Sequence, residues 1–168
     1  LYAGPAARRW IAQHGLQSSD VCAMAGAAGG PKGLILGPLD RFVFGQWLSQ
    51  SRHEVHLVGA SIGAWRMASA CLDDCVDAFQ RLEHDYIRQD YQLEPGQPRP
   101  TPDMISDLFA RNLQDFYGAR VGEVLSHPRY RLHVVTARGR HLLGREHRFR
   151  TPLGYLGAFL TNSVRRKA

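Results

Sequence analysis

The stretch "HEVHLVGASIGAW", residues 53–65, carries the reading of the fold. Val55–Val58 is a short apolar run of the kind that forms a strand. From Ile62 to Leu72 the residues are mostly small and apolar, the composition of a helix buried nearly all round. Between them Gly59-Ala60-Ser61-Ile62-Gly63 must turn the chain from strand to helix. A G-x-S-x-G pentapeptide arises by chance in a glycine-rich chain; the strand before it and the helix after it give it chemical meaning. In that setting the turn holds the serine in a strained backbone conformation. Gly59 and Gly63 omit side chains that would collide where strand and helix pass close. The hydroxyl then projects at the carboxyl end of a strand, where α/β sheets place their ligands. The competing reading is a tight bend with an idle serine. The context makes Ser61 the candidate nucleophile.

Working outward, "AAGGPKG" (27–33) also lies between an apolar run, Val21–Ala25, and a helical pattern that begins at Pro31. It matches neither G-x-x-x-x-G-K-[ST], because Gly33 follows Lys32, nor G-x-G-x-x-G. Backbone N–H groups around Gly29 and Gly30, at the positive end of a helix, suit an oxyanion hole. Pro31 has no N–H to donate. Lys32 adds positive charge nearby or is solvated, and the expected hole comprises Gly29, Gly30, Lys32 and Gly33 of this loop. The N–H of Ile62, next after the serine, is a further donor. A glycine turn that only lets the chain pass is the alternative. Acyl transfer to serine needs both a nucleophile and preorganised donors. Loops from adjacent parallel strands open at one edge, which would bring the two motifs together.

The rest of the chain supports an α/β domain. Helices are expected over residues 4–16, from Pro31 onward with Leu34, Ile35, Leu39 and Phe42 on one face and a break near Pro38, over 62–72, and over 73–91 with Asp73 or Asp74 as cap. Further helices are expected over Met104–Tyr117, capped by Thr101 or Asp103, and over Thr151–Ser163. A proline-rich loop fills 92–102. Strands are expected at Val21–Ala25, Val55–Val58 and within 130–139. Alternating strands and helices predict a mainly parallel sheet with helices on both faces, a three-layer α/β/α architecture. With 168 residues, 44% of them hydrophobic, the chain suits one compact domain. The net charge of +6 fits an arginine-rich solvated surface or contact with an anionic surface, and no nucleic-acid-binding motif accompanies it. Three cysteines, Cys22, Cys71 and Cys75, do not form a disulfide framework and suit a reducing, cytoplasmic compartment. Cys71 and Cys75 stand four apart on an expected helix and read as packing thiols. His53 and His56 read as pointing apart. No metal site and no cofactor are expected, and no apolar run is long enough to span a bilayer.

Gly29-Gly30-Pro31-Lys32-Gly33 followed about 30 residues later by a strand and Gly59-Ala60-Ser61-Ile62-Gly63 resembles the patatin-like phospholipases. "YRLHVVTARGRHLLG" (130–144) is similar to that family's later strand and hairpin, and the N-terminal helix with Trp65-Arg66 resembles a bacterial subgroup. The resemblance implies a Ser–Asp dyad, Ser61 as nucleophile, and Gly29, Gly30 and the backbone around Lys32 as the oxyanion hole. It implies hydrolysis of acyl esters, often of phospholipids or lysophospholipids, with peripheral membrane contact. The family's base is an Asp in a D-G-[GA] motif, and this sequence has no Asp-Gly step. The dyad Asp is therefore expected outside this chain, which would be incomplete at its C-terminus, or it was not retained. Of the histidines after Ser61 (His127, His133, His141 and His147), His147 is the least poor substitute. The alternatives to a hydrolase are an inactive lipid-binding or scaffold protein on the same fold and an acyltransferase.

Overall fold

The computed structural model describes residues 2–93, 96–145 and 147–165; residues 94 and 95, within the expected proline-rich loop, lie outside the described residues. The chain divides into two compact units, one ending at Val135 and one beginning at Thr136.

The first unit is α/β. Its elements are α1 (Pro5–His14), β1 (Ala23–Gly26), a 3-10 helix (Gly30–Leu36), α2 (Gly37–Phe42), a π-helical turn (Val43–Trp47), β2 (Val55–Gly59), α3 (Ile62–Ser69), α4 (Cys75–Ile87), α5 (Pro102–Tyr117), α6 (Val121–Leu125) and β3 (Tyr130–Val134). The three strands form one parallel sheet in the order β1-β2-β3, with Gly26 opposite Gly59 and Gly59 opposite Val134. The carboxyl ends of all three strands therefore stand at one edge. The second unit contains a 3-10 helix (His141–Gly144) and α7 (Arg150–Arg165).

The strand at 130–139 is shorter than its sequence suggests, and no hairpin follows it. Residues 135–140 carry no regular structure, and a 3-10 helix comes next.

Side chains alternate across a strand, and β2 follows that rule. Val55, Leu57 and Gly59 are buried while His56 is exposed. The buried face packs on Phe44, Leu48, Met67, Phe79 and Tyr130. Each such side chain contributes about 1.5–3 kcal/mol by leaving water. The opposite face is exposed at Ala23, Ala25, His56, Arg131 and His133. β1 thus departs from the fully buried strand expected at Val21–Ala25. It starts two residues later, and only Gly26 is buried in it.

The segment after the glycine loop departs further from expectation. Ile35, Leu39 and Phe42 are exposed, whereas Leu34, Gly37, Asp40, Phe44 and Leu48 face inward. The cause is the opening 3-10 helix, with three residues per turn instead of 3.6. Leu34, Gly37 and Asp40 follow that three-residue spacing, and the α- and π-helical turns carry the buried line on to Phe44 and Leu48.

The helix after Ser61 ends at Ser69 and the next starts at Cys75, so Cys71 and Cys75 do not share a helix. Cys71 is fully buried, Cys75 half-buried, and both pack on the sheet's core as free thiols. Burial pushes the Cys71 thiol up to about 12, which makes it inert. Asp74 stands at the N-cap of α4 but makes no side-chain capping bond. Its carboxylate instead accepts from Arg120 Nη2 at 2.5 Å. Thr101 does cap α5, its Oγ1 accepting from the Met104 N–H at 3.3 Å. His53 and His56 have separate partners. His53 pairs with Ser51 and, through Nε2, with the Val21 carbonyl at 2.6 Å, whereas His56 Nδ1 lies 2.9 Å from His133 Nε2.

Ion pairs tie the helices together, among them Arg41 of α2 with Glu83 of α4 at 2.9 Å. Arg66 of α3 donates from Nε and Nη2 to Asp40 of α2 at 2.6 and 2.7 Å, with both side chains under 10% exposed. Near the start of α4, Arg120 donates to Glu123 at 2.7 Å, and Glu123 also accepts the Asp73 N–H at 3.0 Å. The Arg120 bonds, with that N–H second, hold the Glu123 carboxyl down to about 2 from an ordinary 4.5.

Two outcomes follow. Asp40→Ala leaves a buried guanidinium unpaired and should lower the unfolding free energy by about 3–5 kcal/mol in urea titrations, while Asp40→Leu with Arg66→Met should recover most of that loss. A single-variant cost under about 1 kcal/mol would show that the pair is not the clamp described. Glu123 has a lowered native pKa, so its stabilisation is complete above its unfolded value and fades as pH falls through the native one. Glu123→Gln should therefore be less stable than the parent at pH 7, by about 0.5–1 kcal/mol for a partly exposed pair. That gap should close between pH 4.5 and 2; a gap constant across this window would contradict the assignment.

Candidate active site

At the end of β2 the backbone turns at Ser61, which has φ 53° and ψ −128°, one of two non-glycine residues with positive φ among the described residues. This is not a helix cap of ordinary kind. Left-handed backbone at a residue with a Cβ costs about 1–3 kcal/mol and persists only where the surroundings enforce it. Three glycines do the enforcing. A Cβ on Gly63 would overlap the carbonyl oxygen of Gly26, and one on Gly26 would stand 2.9 Å from the carbonyl oxygen of Gly63. A Cβ on Gly59 would collide with the backbone of Ala64. The ends of β1 and β2 and the first turn of α3 therefore meet backbone to backbone. Gly59 and Gly63 hold the places expected of them; Gly26, which completes the contact, was not singled out from sequence because it precedes the glycine cluster as the last residue of a strand.

Ser61 is exposed. Its carbonyl accepts the N–H groups of Ala64 at 2.8 Å and Trp65 at 3.3 Å, which starts α3. Its Oγ has no hydrogen-bond partner among the described residues.

The glycine loop stands beside this turn. Gly33, in the 3-10 helix, packs so closely that a Cβ there would lie 2.8 Å from Ile62 Cγ2. Gly29 is extended at φ 174°, and Gly30 has φ 55°, a conformation that glycine adopts without strain. The N–H groups of Gly29, Gly30 and Ile62 have no protein acceptor among the described residues. Lys32 is exposed and carries no carboxylate partner among those residues. Of the five expected oxyanion residues, the structure thus places Gly29, Gly30 and Ile62 with unspent donors, Gly33 as a packing contact against Ile62, and Lys32 as a solvated cation.

The histidines after Ser61 have other duties. The His127 ring stacks on Tyr130 with centroids 4.4 Å apart, and its Nδ1 accepts the Arg129 and Tyr130 N–H groups at 3.1 and 2.8 Å. Burial pushes its pKa down. His133 faces His56 on the exposed side of the sheet. His141, the other non-glycine residue with positive φ, opens the 3-10 helix of the second unit. His147 Nδ1 accepts the Phe149 N–H at 3.2 Å within that unit.

Two further residues bear on the site. Arg66 anchors α3 to α2 through Asp40, and the sequence signal for it was a carboxylate, Asp40, inside an apolar helix pattern. Tyr86 of α4 brings its hydroxyl to 4.0 Å from where a Cβ on Gly30 would stand, and nothing in the sequence pattern marks it. Among the described residues no group of three or more His, Cys, Asp or Glu is placed to hold a metal ion, and no helix is long and apolar enough to cross a membrane.

No protein-family model, no curated protein and no solved structure matches this chain.

The strain at position 61 has a measurable signature. Glycine ordinarily costs about 0.5–1 kcal/mol relative to alanine. At a site with φ 53° the order should invert. Ser61→Gly should be more stable than Ser61→Ala by about 1 kcal/mol, read from urea or thermal unfolding. If Ser61→Ala proves the more stable, the turn is not held in the left-handed region in solution.

Proposed function

We propose that this chain is a serine acyl-ester hydrolase of the patatin-like type, with a three-layer α/β/α architecture, acting on a lipid or other acyl ester. The observation that carries the reading is the strained, exposed Ser61 in a turn whose Ile62 is packed against Gly33 of the glycine loop, with the N–H groups of Gly29, Gly30 and Ile62 unspent among the described residues. Ser61 Oγ attacks the acyl carbon, its proton passing through solvent to the departing ester oxygen, while the carbonyl oxygen gathers negative charge against the three N–H donors. The ester oxygen then leaves with a proton as the alcohol. Water attacks the acyl-enzyme, releases the acid and returns a proton to Ser61. Loss of one oxyanion donor ordinarily costs about 100- to 1,000-fold in rate.

A second reading is a non-catalytic lipid-binding or scaffold protein on the same fold. It is favoured by the absence of any Asp-Gly step to supply the dyad base. Acyl transfer to an alcohol or thiol uses the same elbow and differs only in the acceptor. The positive net charge of +6 supports peripheral association with an anionic membrane surface in any of these readings.

A fluorophosphonate separates the first reading from the second. It should attach covalently to Ser61, located by peptide mass mapping, and Ser61→Ala should abolish the adduct. An unlabelled Ser61 in the folded protein rejects the nucleophile assignment. Product analysis with added alcohol or thiol acceptors then separates hydrolysis from transfer.

A further inference from the structure

A cavity of about 320 Å³ opens between α3, α4 and α5. Its buried and half-buried lining is mostly apolar and aromatic, with Trp65, Leu82, Tyr86, Leu108, Phe109 and Phe116, and includes the polar, half-buried Gln89 and Asn112. Its charged lining residues are all exposed and so form the mouth. Arg81 and Arg88 stand there with Asp85, Asp90 and Asp115, and Arg81 pairs with Asp85 at 3.3 Å. Charges of both signs at the rim favour neither an anion nor a cation, and the floor favours an uncharged apolar group.

The cavity is tied to the elbow at two points. The Trp65 N–H donates to the Ser61 carbonyl at 3.3 Å, so Trp65 lies one helical turn from the serine, a rise of about 5.4 Å. Tyr86, also in the lining, has its hydroxyl 4.0 Å from where a Cβ on Gly30 would stand. Ser61 and the glycine loop do not themselves line the cavity; Trp65 and Tyr86 are the lining residues nearest to them in these two respects.

We propose that this cavity receives the acyl group of a compact ester, either a short aliphatic or an aryl-alkyl acid, and so sets the substrate class; this rests on the reading of Ser61 as the nucleophile. A volume of about 320 Å³ is at the lower end of small-molecule sites, which span about 300–1,000 Å³. A long lipid chain would overrun it and lie against the charged mouth. Trp65, Phe109 and Asn112 are specificity-determining positions. Asn112 of α5 is half-buried in the wall and has no hydrogen-bond partner among the described residues, so a larger side chain there fills the cavity without breaking a bond.

The test is direct binding of the acid product, which needs no turnover. 4-Phenylbutyrate is titrated into the full chain and followed by tryptophan fluorescence. Binding should saturate, and the signal should vanish in Trp65→Phe, which keeps Trp10 and Trp47. Asn112→Phe should weaken binding about 10-fold or more, and dodecanoate should bind no tighter than 4-phenylbutyrate. Phe109→Ala, which enlarges the cavity, should shift preference toward decanoate by about threefold or more. Absence of saturable binding, equal affinity in Asn112→Phe, or affinity that climbs steadily to dodecanoate overturns the proposal. Fluorophosphonate labelling reads the nucleophile separately. Binding without labelling removes the Ser61 chemistry and leaves the cavity a ligand site; labelling without binding removes the cavity and leaves the chemistry.

Discussion

The fold around Ser61 depends on one contact: the backbone of α3 at Gly63 rests directly on the backbone ends of β1 and β2. Gly26, Gly59 and Gly63 come from three separate elements, and each lacks the atom that would push the others away. The same carbonyl of Gly26 that touches Gly63 accepts the Ala60 N–H at 3.1 Å, so the parallel ladder runs into the turn without a gap. Interiors are packed as densely as organic crystals. A single methyl group at this crossing would therefore displace the helix, the serine it begins with and the Ile62 that seats Gly33.

Strain at the turn and clamping below it balance each other. The left-handed Ser61 pulls toward relaxation. Opposing it, Ile62 and Met67 are each 2% exposed in the core, and Arg66 is fixed to Asp40 by two charge-assisted bonds. Asp40 belongs to the helix that follows the glycine loop, so one ion pair sets the distance between the two loops that carry the candidate chemistry. Tyr117 adds a second fastening, its hydroxyl donating to the Trp65 carbonyl at 2.9 Å and meeting Ser69 Oγ at 2.9 Å. The turn that carries Ser61 is thus fastened from below by buried side chains of α2, α3 and α5.

The parts legible in the sequence were those set by local rules. The strand, turn and helix around Ser61 follow from an apolar run, a glycine pair and a change of periodicity over a dozen residues. The alternation of strands and helices fixed a parallel sheet. What escaped was set by tertiary context. The 3-10 start at Gly30 rotated the following helix, so Ile35, Leu39 and Phe42 face solvent although their spacing suits an α-helical stripe. Asp74 had the right type and place for a cap, yet Arg120, distant in sequence, took its carboxylate. Tyr86 could not be placed beside Gly30 by any local pattern, because that proximity is a property of how α4 lies over the loop.

The identity of residue 61 is itself an argument about function. A bend that only joins β2 to α3 needs positive φ, and glycine supplies it freely. This chain uses glycine wherever backbone demands it nearby, at 26, 30, 59 and 63. At 61, which is exposed and has φ 53°, it keeps a residue with a Cβ. Serine there adds strain, buries no apolar surface and makes no capping bond to α3. Folding alone gains nothing from it. The strain is a cost that the rest of the fold must carry, and the contacts of Gly26, Gly59 and Gly63 are what carry it.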